Sequence, residues 1–179
     1  MFFDIKKYFD NPDNKVLEIE HIKEKNILYD WPKVRSPFIV ARNYLLIKLC
    51  MILPLYTKKY ILRNIVGLKI GHNVAIAPEV EFDPFYPDLI EIEDNVVMGM
   101  DCYILTHEFL PGKFRFSRVK ICKDVMISAF CTIRSGVTIG QGSQVAMCSL
   151  VNKDLPPYEL WGGVPAKFIK KLSLPEENS

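Results

Sequence analysis

The sequence predicts an all-β solenoid built from six-residue turns, with an N-terminal helical extension and a short C-terminal helix. Two observations predict the solenoid. From Ile121 to Leu155 an aliphatic residue recurs at every sixth position: Ile121, Ile127, Ile133, Ile139, Val145 and Val151. Four positions after each stands a small or medium residue: Val125, Cys131, Val137, Ser143, Ser149 and Leu155. The same phase runs upstream through Ile70, Ile76 and Phe82, then through Ile92, Met98 and Ile104. A period of six fits neither the 3.6 of a helix nor the 2 of a plain strand. It fits hexapeptide repeats, each forming one flat side of a triangular coil.

Each element follows from that geometry. The opening aliphatic points inward and stacks on its equivalents in adjacent coils. The residue four later also points inward near a corner, where a bulky ring would not fit. The residue three after the aliphatic must turn, and a left-handed backbone there favours Gly, Asn or Asp. Asn73, Asn95, Asp101, Asp124, Gly136, Gly142 and Asp154 satisfy this, whereas Phe130 and Cys148 break it. The solenoid is therefore expected over residues 65–156, with excursions at 83–89 (DPFYPDL) and 108–118 (EFLPGKFRFSR). Loops leaving a rigid scaffold commonly carry function, and these two should lie close in space.

Residues 1–64 read as a mostly helical extension. Val16, Ile19, Ile22 and Ile27 suggest an amphipathic helix near 15–28, and Trp31-Pro32 and Ser36-Pro37 punctuate the residues beyond it. The apolar run from Phe38 to Tyr56 is interrupted by Arg42 and Lys48 and stopped by Pro54, so it is a poor transmembrane span. The expected role is a helix capping the open end of the solenoid. The alternative is an interfacial membrane helix with Arg42, Lys48, Lys58 and Lys59 toward headgroups. Beyond Leu155, Pro156-Pro157 end the register, and residues 157–179 read as a tail with a short basic helix over Lys167–Leu172 and a disordered end from Leu174 to Ser179.

At 179 residues, 49% apolar and net charge +2, the chain suits one domain plus an extension, and the mild basic excess does not call for a nucleic-acid partner. Met1-Phe2-Phe3 runs straight into Asp4, Lys6 and Lys7, which is not a signal peptide. Five cysteines without C-x-x-C spacing, Cys102 and Cys131 among them at inward positions, point to a reducing cytoplasm and to no metal.

Of the three histidines, His21 reads as a solvated residue of the N-terminal segment and His72 as an exposed corner residue. His107 stands where the chain leaves a coil for the longer excursion, where an imidazole can face a groove and accept a proton near neutral pH.

The hexapeptide run, ILTHE at 104–108, RSGVTIG at 134–140 and GGVPAK at 162–167 together resemble the hexapeptide-repeat acyltransferases, in particular the branch of the maltose and galactoside O-acetyltransferases. The resemblance covers about Ile65 to Leu172. It implies a left-handed parallel β-helix, a homotrimer with active sites between subunits, and acetyl coenzyme A as co-substrate. His107 matches the catalytic general base. Ala129 and Met147 match positions lining the pantetheine arm, although the family's residue at Met147 is smaller. Asn152 and Lys153 match a pair at the nucleotide end, and Lys167 and Lys170 match basic positions near the 3′-phosphate. Asp83, Asp88 and Glu108 are the candidates for the acidic residue that holds an acceptor hydroxyl or orients the histidine. Phe82, Phe85 and Tyr86 could stack on a sugar ring or pack the excursion onto the coil. The implied activity is O-acetyl transfer to a sugar or sugar-like acceptor. N-acyl transfer and a catalytically silent scaffold remain the alternatives. A metal hydratase of the γ-carbonic anhydrase type fails because it needs three histidines around one ion.

Overall fold

The computed structural model describes residues 5–11, 13–20 and 27–173. Before the solenoid come helix α1 (Ile5–Asp10), strand β1 (Val16–Glu20), a 3-10 turn at Ile27–Lys33, helices α2 (Pro37–Ile52) and α3 (Leu55–Ile61), and a π turn at Leu62–Val66. Three-sided coils come next. The first is β2 (Lys69–Ile70), β3 (Ala75–Ile76) and β4 (Glu81–Phe82), and the second is β5 (Ile90–Ile92), β6 (Val97–Met98) and β7 (Tyr103–Ile104). A hairpin, β8 (His107–Leu110) and β9 (Lys113–Ser117), then leaves the prism. The third coil is β10 (Val119–Ile121), β11 (Met126–Ile127) and β12 (Thr132–Ile133). The fourth is β13 (Thr138–Ile139), β14 (Gln144–Val145) and β15 (Leu150–Val151), after which β16 (Glu159–Gly162) and β17 (Lys167–Lys171) close the end.

Equivalent sides stack in parallel. The first face is β2-β5-β10-β13, the second β3-β6-β11-β14-β16, and the third β4-β7-β12-β15. The register puts aliphatic on aliphatic: Ile70, Ile92, Ile121 and Ile139 on one face, and Phe82, Ile104, Ile133 and Val151 on another. These side chains form one continuous buried core with Val74, Val96, Cys102, Val125, Cys131 and Val137. Ser143 and Ser149 occupy the same inward corner site and are buried because their hydroxyls donate to the carbonyls of Pro156 (2.5 Å) and Ala146 (2.6 Å).

The turn rule is imposed by the coil more firmly than residue preference suggests. Gly136 and Gly142 take positive φ, and so do Asn73, Asn95, Asp101 and Asp124. Phe130 and Cys148, which the sequence pattern marks as breaks, adopt φ of 60° and 57° all the same. Asp154 does not turn left-handed. Its carboxylate instead accepts the Thr138 amide (2.7 Å) and binds the Lys15 ammonium (2.6 Å).

Two expected helices are strands. Within the span 15–28, Val16–Glu20 form β1 rather than a helix, because they fill the open edge of β9 in antiparallel register, Val16 opposite Ser117. His21 and Ile22 lie outside the described residues. Lys167–Leu172 is not helical: β17 pairs antiparallel with β16 and satisfies the edge that β16 would otherwise present. At this end Trp161 and Ala166 are buried against the last coil.

At the other end Ile47 and Cys50 of α2, with Leu62, Val66 and Leu68, join the core above the first coil. Asn43, fully buried in α2, donates to the Pro84 carbonyl (2.9 Å) and so ties the helix to the first excursion. Lys58 is 3% exposed, its ammonium donating to the carbonyls of Ala77 (2.9 Å) and Ile76 (3.4 Å). Burial holds its pKa below lysine's usual value. The unfolded chain therefore binds that proton more tightly, and stability should rise with pH as it approaches the ordinary lysine range. Lys58→Met, a substitution of similar length, is expected to flatten that rise in urea unfolding compared at about pH 8 and about pH 10. An unchanged slope would show that Lys58 does not titrate differently on folding.

Candidate active site

Both excursions fold onto each other over the second and third coils. The longer one is a hairpin because Pro111-Gly112 turns the chain, with Gly112 at φ 77°, and the flanking residues alternate in burial. Phe114 and Phe116 pack with Tyr86, Leu89, Ile5, Phe9 and Leu17 in a second apolar cluster. The shorter excursion begins at Asp83, whose amide is still held by the Ile104 carbonyl at 2.9 Å. The next residues bend away, and the Asp83 side chain is left beneath the exit of β7.

There Asp83 meets His107. One carboxylate oxygen, Oδ2, lies 2.5 Å from His107 Nδ1 and also accepts the amides of Thr106 (2.8 Å) and His107 (3.1 Å). Oδ1 accepts the Phe85 amide at 2.8 Å. Full burial pushes the Asp83 carboxyl upward. The His107 hydrogen bond and the Thr106 and Phe85 amides outweigh it, so the group is held below the usual carboxylate range. An ionised carboxylate can only accept, so it fixes the proton of the neutral imidazole on Nδ1 and leaves the Nε2 lone pair free. Nε2 makes no hydrogen bond among the described residues, and the side chain stays 18% exposed.

Aromatic rings frame the imidazole. Phe85 lies 4.4 Å from it, centroid to centroid, and Phe109 lies 4.8 Å away, while Trp31 meets Phe85 edge-on at 5.5 Å. Phe82 and Tyr86 are not part of this wall. Phe82 is buried in the solenoid core, and Tyr86 is buried with its hydroxyl donating to the Val34 carbonyl and the Arg35 guanidinium over its ring. Trp31 reads in the sequence only as punctuation, and nothing local to it signals a contact with the first excursion.

The three acidic candidates separate. Asp83 is the residue on His107. Glu108 is clamped by Arg134 through Nε (2.6 Å) and Nη2 (2.8 Å), by the Ser135 hydroxyl (2.8 Å) and by Arg115 (3.5 Å). Burial pushes its carboxyl up, but Arg134 and Ser135 prevail and hold it low. Sequence reasoning does not find Arg134 and Ser135 as partners. The signal that could have found them is the pairing of Ile133 with Ile104, which puts Arg134 one coil from the start of the hairpin. Asp88 is not at His107. It sits in a 3-10 turn, Pro87–Leu89, lining a cavity of about 180 Å³ with Ile5, Phe9, Lys69 and Arg118.

The remaining candidates lie along two edges of the prism. Ala129 and Met147 occupy the corner between the second and third faces, one above the other, with the Cys148 amide donating to the Ala129 carbonyl at 3.1 Å. Met147 is exposed. Asn152 and Lys153 occupy the next corner, the same edge from which His107 and Arg134 emerge, and the Lys153 ammonium stands 4.8 Å over the Trp161 ring. Lys167 and Lys170 are exposed on β17, opposite Gly162 and Leu160. His72 is an exposed corner residue whose amide donates to Asp94. No group of three His, Cys, Asp or Glu side chains that could hold a metal occurs among the described residues.

Comparison with known proteins gives three kinds of likeness. The family model for the bacterial transferase hexapeptide (six repeats) matches residues 118–153. A Bacillus subtilis protein named "Putative acetyltransferase YvoF" is 34% identical over 135 residues, which is 74% of this chain and 78% of that protein. Among solved structures, a hexapeptide-repeat acetyltransferase from Vibrio cholerae, complexed with acetyl coenzyme A, is 26% identical and superposes with a TM-score of 0.58 over 76% of this chain and 88% of its own. A maltose O-acetyltransferase from Clostridium difficile superposes with a TM-score of 0.62 at 24% identity, over 76% and 88% of the two chains, and shows the shared fold.

Asp83→Asn tests the electrostatics of the site. Because the folded-state pKa of Asp83 is depressed, its contribution to stability is present above the unfolded value, near pH 4, and is lost as pH falls through the folded one. The substitution is expected to cost about 2–3 kcal/mol at neutral pH, since the amide nitrogen of Asn cannot accept the bonds of the oxygen it replaces. It should also remove that part of the acid-limb loss, read by denaturant unfolding between about pH 3 and about pH 7.

Proposed function

The chain belongs to the hexapeptide-repeat acetyltransferases, and on that premise we propose that it transfers the acetyl group of acetyl coenzyme A to a hydroxyl of a sugar or sugar-like acceptor, with His107 as general base. The Asp83–His107 pair carries the reading: a histidine whose Nδ1 is saturated by an ionised, buried carboxylate presents an unengaged Nε2 at a partly open surface. Nε2 takes the acceptor's hydroxyl proton as its oxygen attacks the thioester carbonyl. Asp83 stabilises the imidazolium so formed. Collapse of the tetrahedral adduct breaks the carbon–sulfur bond, and the same proton passes from Nε2 to the departing sulfur. Acid, base and acyl group then balance without a covalent enzyme intermediate.

The Phe85, Phe109 and Trp31 wall supports an acceptor with an apolar ring face, as sugars have. Ala129 and Met147 are assigned to the pantetheine arm, Asn152 and Lys153 to the nucleotide end, and Lys167 and Lys170 to the 3′-phosphate. Two observations support a homotrimer with its site between subunits. The candidate residues occupy different edges of one prism, so one extended co-substrate meets both sets most simply when edges of two copies face each other. His107 also stands on one open wall rather than in an enclosed pocket. The family's coils are left-handed, and this chain is assigned the same hand. Buried free thiols at Cys50, Cys102 and Cys131 suit a cytoplasmic setting.

His107→Ala is expected to lower turnover by roughly 10²–10⁴-fold while leaving the thermal shift produced by acetyl coenzyme A intact. Full activity in that variant would remove the general-base assignment, and no shift in the wild type would favour the scaffold reading. Lys167→Glu with Lys170→Glu should weaken coenzyme A binding, with a smaller difference from wild type at about 1 M salt than at about 0.1 M. Equal affinity would mean that these lysines do not meet the phosphate.

A further inference from the structure

The cap above the first coil has a second apolar face that the fold does not use. On α2 the buried stripe is Asn43, Ile47 and Cys50. On the opposite side Phe38, Leu45, Leu49 and Ile52 recur at the spacing of one helical face, and Phe38 is 88%, Leu45 66% and Ile52 81% exposed. A helix that is apolar on both sides is ordinarily enclosed on both. The face continues next door: α3 and the π turn pack against α2 and leave Leu55, Tyr56, Tyr60 and Ile65 in solvent, with Tyr56 89% exposed. So many large apolar side chains on adjoining elements mark a surface that something covers.

Charge identifies the cover. From Trp31 to Pro78 the chain has eight lysines and arginines and no aspartate or glutamate, against a net charge of +2 for all 179 residues. Of the cations on the cap itself, Lys48 is bound to Glu81 and Lys58 is buried on backbone carbonyls. The charge left at the surface is that of Arg42, Lys59 and Arg63. Exposed aliphatics, tyrosines and arginine or lysine at their margin are the composition that seats at the boundary between acyl chains and anionic headgroups. No helix among the described residues is long and apolar enough to cross a bilayer. We propose that the outer face of α2 and α3 docks the protein on an anionic membrane surface, lying in the headgroup plane rather than spanning the bilayer.

The proposal goes beyond the acetyl-transfer reading and is tested without activity. The full chain is mixed with vesicles of phosphatidylcholine alone and of phosphatidylcholine with phosphatidylglycerol, and the bound fraction is read by flotation. Binding is expected on the anionic vesicles, and roughly tenfold less on neutral ones or at about 0.5 M salt. Leu45→Asp with Ile52→Asp should lower it by about tenfold or more, since apolar contact is lost and negative charge is added. Lys59→Glu with Arg63→Glu, which leaves the apolar face intact, should lower it similarly and serves if the first pair unfolds. The thermal shift with acetyl coenzyme A reports folding in each variant. Absence of wild-type binding to the anionic vesicles overturns the proposal, as does binding that neither pair weakens. Light scattering supplies the remaining arm: if Leu45→Asp with Ile52→Asp lowers the oligomeric state, the face belongs to a second copy of the chain and the membrane assignment fails.

Discussion

The whole chain answers to one constraint: inward aliphatic side chains must stack directly over their equivalents in the neighbouring coils. Ile121 over Ile139 and Ile133 over Val151 leave no room for an extra residue within a side. Anything inserted has to leave at a corner and return in phase. That is why the two excursions start where sides end, after Phe82 and after Ile104, and why the residues flanking them are fixed as rigidly as the core. The same demand forces Phe130 and Cys148 into a left-handed conformation that costs a non-glycine residue about 1–2 kcal/mol. Burial of the stacked aliphatics on either side far exceeds that cost.

Asp83 shows how the site inherits this rigidity. Its amide completes the ladder of the third face, while its carboxylate collects three backbone amides and the imidazole. A carboxylate with so many donors has no rotational freedom left, and the imidazole it holds is oriented to the same precision. Glu108 does the equivalent for the hairpin, fastening it through Arg134 and Ser135 to the third coil. The positioning of His107 thus rests on groups from the first, second and third coils, which are far apart in sequence and become neighbours only through stacking.

Legibility in the sequence divides along the same line. The repeat exposes its period at every coil, so the solenoid, its inward positions and its two exits could be read from residue spacing. His107 could be singled out because of where it stands in that register. The extension could not be read so well, because Val16, Leu17 and Ile19 serve an antiparallel strand whose partner, β9, lies in a hairpin outside the repeat. The Lys167–Lys171 strand was hidden for a similar reason: edge pairing with β16 decides its form, and local propensity does not. The choice among Asp83, Asp88 and Glu108 needed the path of the first excursion, which no periodicity describes. Only in three dimensions does Asp88 fall among the residues lining a separate cavity with Arg118 and Lys69.

The pairing of β1 with β9 has a consequence for how the protein is made. Val16 finds its partner in Ser117 and Glu20 in Lys113, so about a hundred residues are synthesised before β1 has anything to pair with. At roughly 5–20 residues per second that interval lasts on the order of 5–20 s. During it the nascent chain carries Leu17 and Ile19 without their sheet, while the first and second coils can already stack behind them. Assembly is therefore ordered by the ribosome: the early coils can form first, the hairpin emerges, and only then can the oldest strand in the chain take its place on the outer edge of β9, across the sheet from the histidine's strand.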